Sequence, residues 1–173
     1  MKQSNMRILF SAEEIDSQVR RLAREISSDY QGCELVLIGV LKGAFVFLAD
    51  LVRQLTIPVE IDFVRVASYG SNTTSSGAIR ISTDVELNLH QRDVIIVEDI
   101  VDSGRTMEFL RKHLLVHRPR SLKLCALLDK KERRVLTVPM DYTALQLDKG
   151  FVVGYGLDCN EASRQPPDIC ELI

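Results

Sequence analysis

The chain has 173 residues, of which 46% are hydrophobic and 27% charged, with a formal net charge of −2. That length suits a single domain, residues 1–173, able to bury roughly two thirds of its unfolded surface. The charge supplies no positive field for nucleic acid or an anionic membrane, and no run approaches the roughly 20 apolar residues of a membrane span, so neither is an expected partner.

From the N-terminus, Ser11-Ala12-Glu13-Glu14 reads as a capping box and predicts a helix with Ile15, Val19, Leu22 and Ile26 on its apolar face. Leu35 to Ile38 is a continuous apolar run ending at Gly39, the pattern of a strand buried on both faces. The loop Val40-Leu41-Lys42-Gly43 then leads into a helix expected from Ala44 to about Leu55. Val59 to Val66 is β-rich and gives way to Ser68–Gly77, a stretch small and polar enough to be expected to move. Ile79 to Ser82 reads as a return strand, and Val94-Ile95-Ile96-Val97 is the clearest buried strand of all. A helix is expected from about Arg105 to Val116, stopped near Pro119, followed by strands at Leu122–Leu128, Ala144–Leu147 and Phe151–Val153.

Apolar runs separated by helices predict an α/β fold, a parallel twisted sheet flanked by helices, with ligands beyond the carboxyl ends of its strands. Polar loops follow Ile38, Val97 and Leu128 at those ends. Cys33, Cys125, Cys159 and Cys170 form no C-x-x-C pair, and with no export signal they read as reduced thiols of a cytoplasmic protein. His113 and His117 have the four-residue spacing of a metal pair, but no third ligand accompanies them, which argues against zinc. Lys130-Lys131-Glu132-Arg133-Arg134 reads as a solvated turn apart from Lys130.

The most informative run is Val94 to Thr106, in which a buried strand emerges into Glu98-Asp99, followed by Asp102-Ser103-Gly104-Arg105-Thr106 opening a helix. Amides and hydroxyls at a helix N-terminus receive a phosphate dianion, and Gly104 permits close backbone approach. Two carboxylates at a strand end accept hydrogen bonds from vicinal ribose hydroxyls. Together they describe a receptor for a ribose 5-phosphate. Neither G-x-x-x-x-G-K-[ST] nor G-x-G-x-x-G is present.

This run resembles the phosphoribosyl pyrophosphate signature of type I phosphoribosyltransferases, most closely their hypoxanthine-guanine branch. Leu41-Lys42-Gly43 resembles the family's pyrophosphate loop, Ser68-Tyr69-Gly70 its flexible catalytic loop, Leu127-Leu128-Asp129-Lys130 its purine-side strand, and Phe151 to Asp158 its base-stacking and magnesium segment. The resemblance implies a core over about 33–145, a small hood from about 1–30 and 146–173, and a lid over about 68–77.

It also implies roles. Glu98 and Asp99 would hold the ribose hydroxyls directly or through Mg²⁺, and Asp158 would join them as a metal ligand. The turn from Asp102 to Thr106, with Ser103, Gly104 and Arg105, would cradle the 5′-phosphate, and Asp102 would handle the proton at purine N7. Leu41, Lys42, Gly43 and Arg164 would meet pyrophosphate, with the Leu41–Lys42 bond in the cis form the family often has. Lys130 would donate to purine O6, Phe151 would stack on the base, and the Val152 backbone would read its edge. The implied reaction displaces pyrophosphate at the anomeric carbon by a nitrogen of hypoxanthine or guanine, in a homodimer or homotetramer. The chain departs from the family at Cys159, at Leu147-Asp148-Lys149-Gly150 and at Gln165-Pro166-Pro167, all around the base pocket. A regulator of the same fold should carry a basic face or an added DNA-binding segment, and neither is present.

Overall fold

A computed structural model describes residues 6–68, 79–159 and 161–173. Within them the chain runs β1 (Met6–Phe10), α1 (Ala12–Asp29), β2 (Leu35–Leu41), α2 (Phe45–Gln54), β3 (Val59–Ser68), β4 (Ile79–Thr83), β5 (Asp93–Val101), α3 (Arg105–Leu115), β6 (Ser121–Lys130), β7 (Tyr142–Leu147), β8 (Val152–Val153) and β9 (Ile169–Leu172). Ser68 ends β3. Tyr69, Gly70 and the rest of the expected lid through Gly77 lie outside the described residues.

The capping box forms as read: the Glu14 amide donates to Ser11 Oγ at 3.2 Å, and the Ser11 amide donates to Glu14 Oε2 at 2.8 Å. Ile15, Val19, Leu22 and Ile26 are all buried, so a 3.6-residue period turns one stripe of α1 into the core. Each such side chain stabilises the fold by about 1.5–3 kcal/mol relative to leaving it exposed.

The main sheet has the order β4-β3-β2-β5-β6-β7. β3, β2, β5, β6 and β7 are parallel, as the sequence pattern predicts. β4 departs from that expectation by pairing antiparallel with β3 at the edge. The connection, residues 69–78, is shorter than the dozen or so residues a parallel crossover needs, so the chain can only turn back. Along β2, Leu35 and Leu37 join α1 and α2 in one core cluster, while Val36, Ile38 and Val40 join α3 in the other. This two-residue alternation is why the run is apolar without a break.

A second, three-stranded sheet, β1-β9-β8, joins residues near the two ends of the sequence. Neither β1 nor β9 was expected as a strand: β1 turns Met6 and Ile8 outward at 48% and 58% exposure, so it lacks the alternation that marks a half-buried strand. Among the described residues, no helix is long and apolar enough to cross a membrane.

Candidate active site

β5 is longer than its apolar run implies and carries Glu98 and Asp99 within the strand. The two side chains leave the strand toward different neighbours, yet their carboxyls stay close enough to interact. Glu98, 7% exposed, lines a cavity of about 110 Å³ together with Asp102, Ser103, Gly104 and Thr106. Asp99 lies against the turn after β2, where a Cβ on Gly43 would overlap its carboxylate; only glycine allows that approach. Burial pushes the Glu98 carboxyl well above its ordinary range, and the Asp99 carboxylate beside it adds to the shift. Burial also raises Asp99, against the opposing charge of Arg164. Two buried carboxyls that resist ionisation together are a strong receptor for a cation or for donor hydroxyls.

The turn after β5 is built for close approach. Gly104 takes φ +82° at the N-cap of α3, and a Cβ there would overlap the carbonyl of Leu136. Ser103 Oγ accepts from the Arg105 amide at 3.3 Å, and the Arg105 side chain is exposed. The Ser103 carbonyl accepts from the Val135 and Leu136 amides, each at 3.0 Å. Asp102 Oδ1 is buried and has no hydrogen-bond partner among the described residues, and Asp102 Oδ2 lies 3.7 Å from Lys130 Nζ. A buried acceptor left open in this way is poised to receive a proton from a ligand.

Taken as a residue type, Lys130 reads as a surface lysine; its side chain is only 6% exposed at the end of β6, between Asp102 and Glu132. The reading of residues 131–134 as a solvated turn is corrected at Arg134, whose side chain is 18% exposed. Its Nε donates to the Asp102 carbonyl at 2.7 Å, and its Nη2 reaches the carbonyls of Val101 at 2.8 Å and Lys130 at 3.0 Å and the Asp129 carboxylate. One guanidinium therefore pins the turn after β5 to the end of β6. The sequence held a clue: Asp129 continues a buried apolar run, and a buried carboxylate requires a cation nearby.

On the other side, β2 runs through Leu41, past the expected loop start, and the Leu41–Lys42 peptide bond is cis. Lys42 is exposed and its Nζ lies 2.8 Å from Glu161. Arg164 donates to the Gly156 carbonyl at 2.6 Å, to Asp158 at 2.8 Å and to Glu161 at 3.3 Å. Lys42, Asp158 and Arg164 are thus brought into one ion network, with Glu161 as a member that the sequence reading missed. Tyr155, buried, holds this segment to α2 through its hydroxyl, which donates to Asp50 at 2.6 Å. Phe151 is 51% exposed and so is not a core residue, whereas Val152 is buried in β8.

The donor set suits a hard divalent cation. Among the described residues no three His, Cys, Asp or Glu side chains form a metal cage. His113 pairs with Asp84 at 2.9 Å and packs on His117, with ring centroids 5.9 Å apart.

Comparison with known proteins agrees with this geometry. The phosphoribosyl transferase domain family matches residues 9–160. The hypoxanthine-guanine phosphoribosyltransferase of Aquifex aeolicus is 42% identical over 165 residues, covering 95% of this chain and 93% of that one. A crystal structure of the Bacillus anthracis hypoxanthine-guanine phosphoribosyltransferase superposes with a TM-score of 0.91 at 43% identity, covering 96% of this chain and 98% of that one. The hypoxanthine phosphoribosyl transferase of Trypanosoma cruzi superposes with a TM-score of 0.90 at 41% identity, covering 96% and 91%.

Proposed function

Since this chain belongs to the phosphoribosyltransferase family, in its hypoxanthine-guanine branch, we propose that it salvages purines by moving the 5-phosphoribosyl group from phosphoribosyl pyrophosphate to hypoxanthine or guanine. The products are the purine nucleotide and pyrophosphate. The observation that carries this reading is the pairing of an open, buried Asp102 carboxylate oxygen with a buried Lys130 ammonium beside a glycine-hinged helix N-terminus.

Ser103, Gly104, Arg105 and Thr106 receive the 5′-phosphate at the positive end of α3. Glu98 and Asp99 hold the ribose hydroxyls. Asp102 accepts the proton released at purine N7 as the base bonds to the anomeric carbon, and Lys130 donates to O6. The Val152 backbone reads the base edge, and Phe151, half exposed in the free protein, covers the ring. Leu41, Lys42, Gly43 and Arg164 take the departing pyrophosphate; Arg164 and Lys42 then exchange their carboxylate partners for phosphate oxygens. Ser68 and Tyr69 belong to the lid that excludes water.

Glu98, Asp99 and Asp158 would hold Mg²⁺ together with the substrate phosphates, and the ion would supply charge neutralisation on the leaving diphosphate. The protein works in the cytoplasm, consistent with four unpaired cysteines, and as a homodimer or homotetramer, for which exposed Phe45, Ile61 and Phe63 offer apolar surface.

The test is nucleotide formation followed by mass spectrometry, with phosphoribosyl pyrophosphate, Mg²⁺ and hypoxanthine, guanine, xanthine or adenine in separate reactions. The expected result is product with hypoxanthine or guanine, and a kcat lowered about 10²–10⁴-fold in Asp102→Asn, the usual contribution of a positioned general base. No product from any base, with folded protein, would overturn the proposal.

A further inference from the structure

Lys130 sits between two carboxylates that make different demands on it. Its ammonium lies 3.2 Å from Glu132 Oε2 and 3.7 Å from Asp102 Oδ2. A lysine head that is only 6% exposed cannot turn to water, so its direction is set by whichever anion is nearer. Glu132 is that anion. The same carboxylate oxygen also accepts from the Gly150 amide at 3.3 Å, in the turn immediately before Phe151. The Lys130 hydrogen bond, followed by that of Gly150, holds the Glu132 carboxyl below its ordinary range. One side chain therefore ties the end of β6 to the turn that presents Phe151.

We propose that Glu132 is a positioning residue of the base pocket, which draws the Lys130 ammonium off Asp102 and fixes its distance from the Phe151 turn. This rests on the function proposed above. With Glu132 in place, Lys130 keeps a hydrogen free for a 6-oxo oxygen and Asp102 keeps an uncovered acceptor. Without it, Asp102 becomes the nearest counter-charge, the ammonium swings onto it, and both groups that meet the purine are consumed in one ion pair. The turn before Phe151 loses its tether in the same event. Glu132 is itself well exposed, at 42% of its side chain, so its ion pair adds little to stability. Its effect falls on the base, and phosphoribosyl pyrophosphate, gripped by the turn after β5 and by Lys42 and Arg164, should not feel it.

The substitutions Glu132→Gln and Glu132→Asp separate charge from hydrogen bonding. Glutamine retains an acceptor for the Gly150 amide and loses the pull on Lys130; aspartate retains the charge. Steady-state kinetics on the full chain are expected to show KM for hypoxanthine or guanine raised about tenfold in Glu132→Gln, with KM for phosphoribosyl pyrophosphate within about twofold of wild type. Glu132→Asp should recover most of that loss, and the thermal midpoint should be unchanged in both. An unaltered base KM in Glu132→Gln would overturn the inference. So would a parallel rise in both KM values with a lowered midpoint, because that is the mark of a structural role alone. Wild type measured alongside keeps the two readings apart: an inactive wild type overturns the proposed function and this inference with it, whereas an active wild type matched by Glu132→Gln overturns this inference only.

Discussion

Glu98 opens onto the turn at Asp102–Thr106 and Asp99 onto the segment around Arg164, and these two regions are held by different bonds. The first hangs on backbone carbonyls: Ser103 receives two amides and the Asp102 carbonyl receives Arg134 Nε, all through a segment that is otherwise remote in sequence. The second has main-chain pairs of its own, between Gly156 and Arg164 and between Cys159 and Ala162, and adds side-chain ion pairs among Lys42, Asp158, Glu161 and Arg164, in which the Glu161 side chain is 64% exposed. It also holds Tyr155, Glu161 and Ser163 at φ 49°, 63° and 68°, a left-handed conformation that is uncommon outside glycine. Exposed ion pairs of that kind exchange partners easily, which the buried contacts of Arg134 and the amides on Ser103 do not. The function proposed above would put the retained 5′-phosphate at the first region and the departing pyrophosphate at the second, whose exposed side-chain pairs can let go.

If that contrast is right, the largest effect belongs to Arg134. Arg134→Ala strips the turn of its guanidinium and leaves Asp129 as an unpaired buried carboxylate, a change that costs about 3 kcal/mol. Thermal denaturation should show the midpoint lowered by about 6–12 °C in a chain of this size. A midpoint close to wild type would mean that the turn is held mainly by the Val135 and Leu136 amides.

A smaller effect, with a pH signature, is expected at Glu98. Burial raises its folded pKa above the unfolded value, so the folded form holds a proton that the unfolded form releases. Stability from this group is therefore complete below the ordinary glutamate range, about pH 4, and declines as the pH rises through the folded pKa. In the presence of a chelator, Glu98→Gln should raise the midpoint at pH 8 by about 2–4 °C, the shift that about 1 kcal/mol produces, and leave it unchanged near pH 4. An equal gain at both pH values would assign the effect to packing.

The smallest effect is expected on the adjustable side. Glu161→Gln should leave the midpoint within about 1 °C, since an exposed pair is screened by water and salt. It should lower KM for phosphoribosyl pyrophosphate, because Lys42 no longer needs to be taken from a carboxylate and Arg164 keeps only Asp158. A large loss of stability in this variant would remove the distinction between the two regions.

The sequence made the sheet and the phosphate turn legible for the same reason. A strand buried on both faces leaves a continuous apolar run, as at Val94–Val97, and a turn that must receive a phosphate leaves glycine and hydroxyls at fixed offsets, as at Ser103–Thr106. The small sheet was hidden because β1 and β9 complete each other across the chain and need no alternation of their own. Arg134, Glu132 and Glu161 were hidden because a charged residue in a polar stretch looks the same whether it faces water or a buried partner. Only the fold decides which anion lies within reach, and it reverses the reading for Arg134 but not for its neighbours Lys131 and Arg133, which are exposed.

The two amides on the Ser103 carbonyl have a consequence for how the molecule comes to be. They belong to residues that follow β6, so the phosphate turn cannot reach its final shape when β5 and α3 alone have formed. Its carbonyl contacts form only once β6 has docked in parallel beside β5 and the chain has doubled back. A nascent chain ending before Val135 therefore carries the signature residues of the turn without the carbonyl contacts that shape it.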